Sequence, residues 1–164
     1  MARDMKRKHH HQLESVQGCG SILPAVLDAT HITTSLKPEG RRWCVLVVDD
    51  DEIILETTAE LLEQENFQVV KASNGIEALK CFNADPAKFG VALMDIKMPG
   101  MDGDLATLEM LKIRPDFPVI LMSGLSEHTA RANLRGKVIA GFLKKPFSCE
   151  SLLQVISAAP GFCS

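Results

Sequence analysis

The chain has 164 residues, 46 % of them apolar and 24 % charged, with a formal net charge of −3, the composition of an ordinary globular domain. The charge is uneven: residues 1–42 carry seven Lys or Arg and four acids, an excess of +3, so residues 43–164 carry −6. That acidic balance argues against nonspecific nucleic-acid binding, which needs a basic face, and no apolar run approaches the ~20 residues of a membrane span.

Residues 1–42 read as a flexible tail or linker. "KRKHHHQ" is polar, "GCGS" is flexible and "KPEGRR" is rich in turn formers,. His9-His10-His11 suits a transition metal in principle but reads as part of a solvated tail. The apolar stretch 21–29 is short and broken by Pro24 and Asp28, which argues against a signal peptide,. Residues 24–36 have the pattern of a short helix, marginal on its own,. The five cysteines (Cys19, Cys44, Cys81, Cys149, Cys163) are scattered and include no CxxC, so they read as reduced thiols of a cytosolic protein,.

A regular pattern begins at residue 43. "CVLVV" (44–48) is a continuous apolar run, the mark of a strand buried on both faces,. Residues 52–66 predict a helix with Ile54, Leu61 and Leu62 on its inner side,. "FQVVKA" (67–72) predicts a short strand, and Asn74 with Glu77 predicts a capping box opening a helix through Phe82,. "GVALM" (90–94) is a buried strand, "GDLATLEMLKI" (103–113) a helix and "PVILM" (118–122) another buried strand. A weaker helix over 126–135, a strand over 139–143 and a helix over 148–159 with Ser148 as N-cap complete the series,. Five strands alternating with helices predict an α/β fold, a doubly wound parallel sheet with helices on both faces. Residues 43–159 form this domain, and 160–164 a short C-terminal tail.

Ligands of such sheets lie beyond the carboxyl ends of the strands. Those ends carry Asp49, Asp50 and Asp51 after the first strand, Asp95 after the third, Ser123 after the fourth, and Lys144 and Lys145 after the fifth. Each has an ordinary reading when taken singly: Asp49–Asp51 as a helix start, Asp95 as a turn opener, Ser123 as a loop residue, Lys145 as a solvated cation. Together they crowd like charges, at roughly 3 kcal/mol per carboxylate pair for ~5 Å and an effective dielectric of ~20. A cation must compensate, and hard oxygen donors suit Mg²⁺ or Mn²⁺. With such an ion, the rim can neutralise a phosphoryl group while a carboxylate acts as nucleophile.

The stretches "VLVVDDDE" (45–52), "ALMDIKMPGMDG" (92–103), "VILMSG" (119–124) and "GFLKKPF" (141–147) closely resemble the receiver domain of bacterial two-component response regulators. The resemblance spans essentially all of 43–159 and implies a flavodoxin-like five-stranded sheet of strand order 2-1-3-4-5. It implies that Asp95 is the phosphoacceptor, charged from a phosphohistidine of a histidine kinase or phosphotransfer protein. Asp49 and Asp50 would hold Mg²⁺ together with Asp95 and the backbone carbonyl of Lys97, with Mn²⁺ as a substitute. Ser123 would bond a phosphoryl oxygen, Lys145 would pair with the phosphate, and Lys145–Pro146 would be cis. Ser123 and Phe142 would form the switch.

The output would be a protein target bound on the face made by strand 118–122, helix 126–135 and strand 139–143. Nucleic acid and membrane are not expected partners, and the chain would be a monomer or a weak phosphorylation-dependent dimer. It would catalyse only its own phosphorylation and dephosphorylation, in the cytoplasm. Three features depart from the common pattern. Asp51 is a third acid, placed at the helix start outside the metal shell. Phe142 lacks a tyrosine hydroxyl. Lys97 lies two residues past the acceptor, where a poor guide for water implies a long-lived phosphoryl group.

"LRGKVIAGFLKKPF" is similar to receivers fused to hybrid sensor kinases. A non-phosphorylated scaffold is the alternative, disfavoured by the intact Asp49, Asp50, Asp95, Ser123 and Lys145. An Asp-nucleophile phosphatase would want a cap insertion, and a flavin carrier a phosphate-cradling loop where the chain is acidic. Trp43, about 16 Å from the rim by strand length, should barely sense Mg²⁺ by fluorescence.

Overall fold

A computed structural model describes residues 44–124 and 139–161. The expected tail 1–42, Trp43, the predicted helix 126–135, Cys19, Cys163 and most of the expected C-terminal tail lie outside the described residues.

The elements in chain order are β1 (Cys44–Val48), α1 (Glu52–Gln64), β2 (Gln68–Ala72), α2 (Gly75–Ala84), a single 3₁₀ turn (Pro86–Lys88), β3 (Phe89–Asp95), α3 (Gly103–Ile113), β4 (Val119–Ser123), β5 (Gly141–Lys144) and α4 (Cys149–Ser157). The strands are parallel and lie in the order β2-β1-β3-β4-β5, as expected. β1, β3 and β4 occupy the middle and are buried along their whole length. Side chains alternate between two cores. Cys44, Leu46 and Val48 join Met94, Leu121, Phe82 of α2 and Met110 of α3 on one face. Val45 and Val47 join Leu93, Ile120, Leu62 of α1, and Leu152 and Ile156 of α4 on the other. Phe82 is fully buried and its ring centroid lies 4.6 Å from that of Phe117.

Several local expectations shift. α1 ends at Gln64 rather than 66, because Asn66 adopts φ 61°. Its N–H donates to Glu63 O and that of Phe67 to Leu62 O, the paired bonds of a left-handed helix stop,. The inner face of α1 is Leu55, Thr58, Ala59 and Leu62, while Ile54 and Leu61 are only half-buried and Ile53 is exposed. Asn74 caps α2 by accepting from Glu77 N, but Glu77 reaches back to the N–H and hydroxyl of Ser73, not to the N–H of Asn74. β3, β4 and β5 each reach one residue further toward the rim than expected, so Asp95, Ser123 and Lys144 are the last residues of their strands. Ser148 caps α4 as expected. No helix among the described residues is long and apolar enough to cross a membrane.

Candidate functional site

The strand order brings the carboxyl ends of β1, β3, β4 and β5 to one rim. Asp49 follows β1, is 1 % exposed, and its N–H donates to Ala72 O of β2. Asp95 closes β3 at 6 % exposure. Ser123 closes β4, is buried, and its carbonyl accepts from Lys145 N at 2.9 Å, which carries the β4–β5 ladder one step past the strands. The peptide that follows, Lys145–Pro146, is cis.

Lys145 is the centre of the rim. Its Nζ donates to Asp49 Oδ2 and to Asp95 Oδ1, both at 2.5 Å. Each carboxylate spends its other oxygen on a backbone N–H: Asp49 Oδ1 accepts from Asp51 N at 3.1 Å, and Asp95 Oδ2 from Lys97 N at 3.0 Å. Two buried carboxylates thus share one cation and are each held in a fixed orientation. Burial pushes the Asp95 carboxyl above its ordinary range, against the opposing pull of Lys145. A more basic carboxylate oxygen is a better nucleophile. Burial pulls the Lys145 ammonium down, but the hydrogen bonds to Asp49 and Asp95 outweigh it and raise the group overall, so it stays charged.

Asp50 is exposed beside this pair. One oxygen each from Asp49, Asp50 and Asp95 lie within 4.8 Å of one another, the only set of three or more potential metal-ligating side chains found among the described residues. Three hard carboxylate oxygens open to solvent on one side fit a small divalent cation that keeps several waters, and Mg²⁺ is the natural candidate. Asp51 lies outside this set: its Oδ1 accepts from Ile53 N and Ile54 N and caps α1.

The loop from β3 to α3 is shaped by two glycines. A Cβ at Gly103 would lie 1.8 Å from Asp95 O and 2.7 Å from Met94 Cγ. Gly103 N donates to Ile96 O, so α3 starts pressed against the acceptor's own backbone. Gly100, at φ 81°, makes the turn that allows this return,. The Lys97 side chain does not enter the rim; its Nζ lies 3.0 Å from Asp102 Oδ2. Phe142 of β5 is half-buried against the core on the α2/α3 side. Sequence reasoning named Asp49, Asp50, Asp95, Ser123 and Lys145, and all five stand at this rim. It missed Gly103 and the Lys97–Asp102 pair. The only signal of the first was a glycine directly after the turn sequence "MPGMD".

The model of the response regulator receiver domain matches residues 45–157. The sensor kinase CckA of Brucella abortus is 31 % identical over 112 residues, covering 68 % of this chain and 12 % of the kinase. The response regulator GacA of Pseudomonas aeruginosa is 36 % identical over 114 residues, covering 68 % of this chain and 52 % of that protein. Among solved structures, the response regulator TrrA of Thermotoga maritima, in complex with Mg²⁺ and a beryllium fluoride, matches with a TM-score of 0.61 and 29 % identity over 68 % of this chain and 94 % of that one. The chain therefore belongs to the response regulator receiver domain family, a family of phosphoacceptor signalling domains. It spans about an eighth to about half the length of these two curated relatives.

Proposed function

We propose that this chain receives a phosphoryl group on Asp95 from a phosphohistidine of a kinase or phosphotransfer protein and passes the signal on by protein contact. The observation that carries this reading is the Asp95 carboxylate, buried at the end of β3 and clamped by Lys145, with Asp49 and Asp50 alongside. The phosphorus–nitrogen bond to the donor imidazole breaks as an Asp95 oxygen bonds to phosphorus, and the imidazole nitrogen leaves with the electron pair. Asp49, Asp50, Asp95 and the carbonyl of Lys97 would hold Mg²⁺, which supplies positive charge for the phosphoryl oxygens. Lys145, already fixed against Asp49 and Asp95, turns its ammonium to the incoming oxygens.

Ser123 follows one phosphoryl oxygen with its hydroxyl, and Phe142 moves inward behind it, a switch resting on packing alone. The two ends of the equilibrium then differ in population rather than in kind. The domain turns over only its own phosphoryl group. The free thiols Cys44, Cys81 and Cys149 suit a reducing cytoplasm,. The N-terminal 42 residues serve as tail or linker, and residues 43–159 as the receiver.

The test is intact-protein mass after incubation with acetyl phosphate, with Mg²⁺ or with chelator, on the wild type and Asp95→Asn. The expected result is one phosphoryl group, gained only with Mg²⁺ and only by the wild type. No gain in the wild type would leave a receiver-like scaffold as the better reading.

A further inference from the structure

Four α-helices are described, and three begin with a side chain that closes the first turn: Asp51 on the amides of Ile53 and Ile54, Asn74 on Glu77, and Ser148 on Ser151. α3 begins with Asp102, a residue equally suited to capping. Its backbone has the extended conformation of a cap (φ −62°, ψ 147°), yet its side chain makes no capping bond. The carboxylate takes Lys97 Nζ instead, at 3.0 Å. Lys97 in turn donates its backbone N–H to Asp95 Oδ2. A cation rooted on the acceptor is thus drawn off it, by a residue that leaves its own helix uncapped to do so.

We propose that Asp102 is a positioning residue with two partners: it holds the Lys97 ammonium off the site while Asp95 is bare, and returns to cap α3 when a phosphoryl group draws Lys97 across. This rests on reading Asp95 as the phosphoacceptor. An exposed ion pair and a helix cap are each worth small and similar amounts, so the two states of Asp102 lie close in energy. A doubly charged group beside the Lys97 backbone is enough to tip them. The N–H of Leu105 is already taken by Asp104 Oδ1 at 2.8 Å, which leaves the N–H of Asp104 for the returning cap.

The exchange bears on how long the signal lasts. The phosphoryl group leaves by hydrolysis. A water oxygen bonds to phosphorus, the bond from phosphorus to the Asp95 oxygen breaks, Asp95 remains as carboxylate, and inorganic phosphate departs with both water protons. Lys97 paired to the phosphoryl oxygens screens phosphorus from that water. Asp102 competes for Lys97 and so shortens the phosphorylated state.

The experiment follows loss of the phosphoryl group by intact mass, after acetyl phosphate is removed, in the full chain with Mg²⁺. Asp102→Asn keeps a good capping residue and removes the competing charge. It is expected to lengthen the lifetime by about two- to fivefold, the factor an exposed ion pair can supply. Lys97→Ala is expected to shorten it, and Asp102→Asn to have no further effect in the Lys97→Ala background. The same lifetime change in both backgrounds, or no change in either, overturns the proposal. Amide exchange gives a readout that needs no phosphoryl group. In Lys97→Ala, Asp102 is free to cap, so the Asp104 amide should exchange more slowly than in the wild type; unchanged exchange contradicts the two-partner model. A wild type that gains no phosphoryl group sinks the acceptor reading instead, and the exchange measurement still decides whether Asp102 moves.

Discussion

Asp50→Asn should change stability in opposite directions with and without Mg²⁺. One oxygen each of Asp49, Asp50 and Asp95 lie within 4.8 Å of one another. At that separation and an effective dielectric of ~20, a pair of unit charges repels by about 3.5 kcal/mol. Lys145 bridges Asp49 and Asp95 directly at 2.5 Å, and Asp50 has no such bond to it. Asp50 faces solvent, so screening and the nearby ammonium reduce the cost of its charge to roughly 1 kcal/mol. Removing that charge should raise the melting temperature in chelator by about 4 °C for a domain of this size. Saturating Mg²⁺ stabilises the wild type through binding, by about 2.7 kcal/mol at a hundredfold excess over Kd, and the variant has lost one ligand. The melting curves, followed by circular dichroism, should therefore rank variant above wild type in chelator and wild type above variant in Mg²⁺. An Asp50→Asn protein that melts lower in chelator, or keeps the full Mg²⁺ increment, would refute the account of the three carboxylates.

Phe82→Ala removes a fully buried ring packed between Phe117 and Phe89 and should cost about 3–5 kcal/mol in urea unfolding,; a loss below 1 kcal/mol would mean that this aromatic cluster is looser than described. Gly103→Ala drives a Cβ into Asp95 O and should lose at least the roughly 1–3 kcal/mol of an overpacked site,, whereas Gly124→Ala, with nothing within 4 Å of the added carbon, should melt like the wild type. The Glu77 carboxyl is held below its ordinary range, first by the Ser73 N–H and then by the Ser73 hydroxyl. Its contribution is present above the ordinary carboxylate range and fades as pH falls through the lowered value, so the melting difference between wild type and Glu77→Gln should shrink with acid; a difference independent of pH would contradict it. Burial pushes the Cys44 thiol up, only partly offset by Lys88, so under native conditions alkylation should reach Cys81 and Cys149 before Cys44, as peptide mass mapping would show.

The sheet was legible because β1, β3 and β4 are buried on both faces and so appear as unbroken apolar runs,. The rim was legible because parallel topology gathers the strand ends, which carry acids at β1 and β3, a serine at β4 and a lysine just after β5. The inner face of α1 was not. Ile53, Ile54 and Leu55 are equally apolar, and only packing on the sheet selects Leu55 over its neighbours. The capping bond of Glu77 went to Ser73 because two adjacent N–H groups compete for one carboxylate, a choice made by loop geometry. Lys97 and Asp102 stand five residues apart across a turn whose course depends on Gly100 at positive φ and Gly103 against Asp95. Their pairing has no periodic signature in the chain.

The most direct test of the central claim is to locate the phosphoryl group. The chain is phosphorylated with acetyl phosphate and Mg²⁺, reduced with borohydride, which converts an aspartyl phosphate to homoserine, and mapped by peptide mass spectrometry. The account predicts homoserine at position 95 alone. Homoserine at position 49 or 50, or a phosphoryl group resistant to borohydride on Ser123 or a histidine, would contradict it.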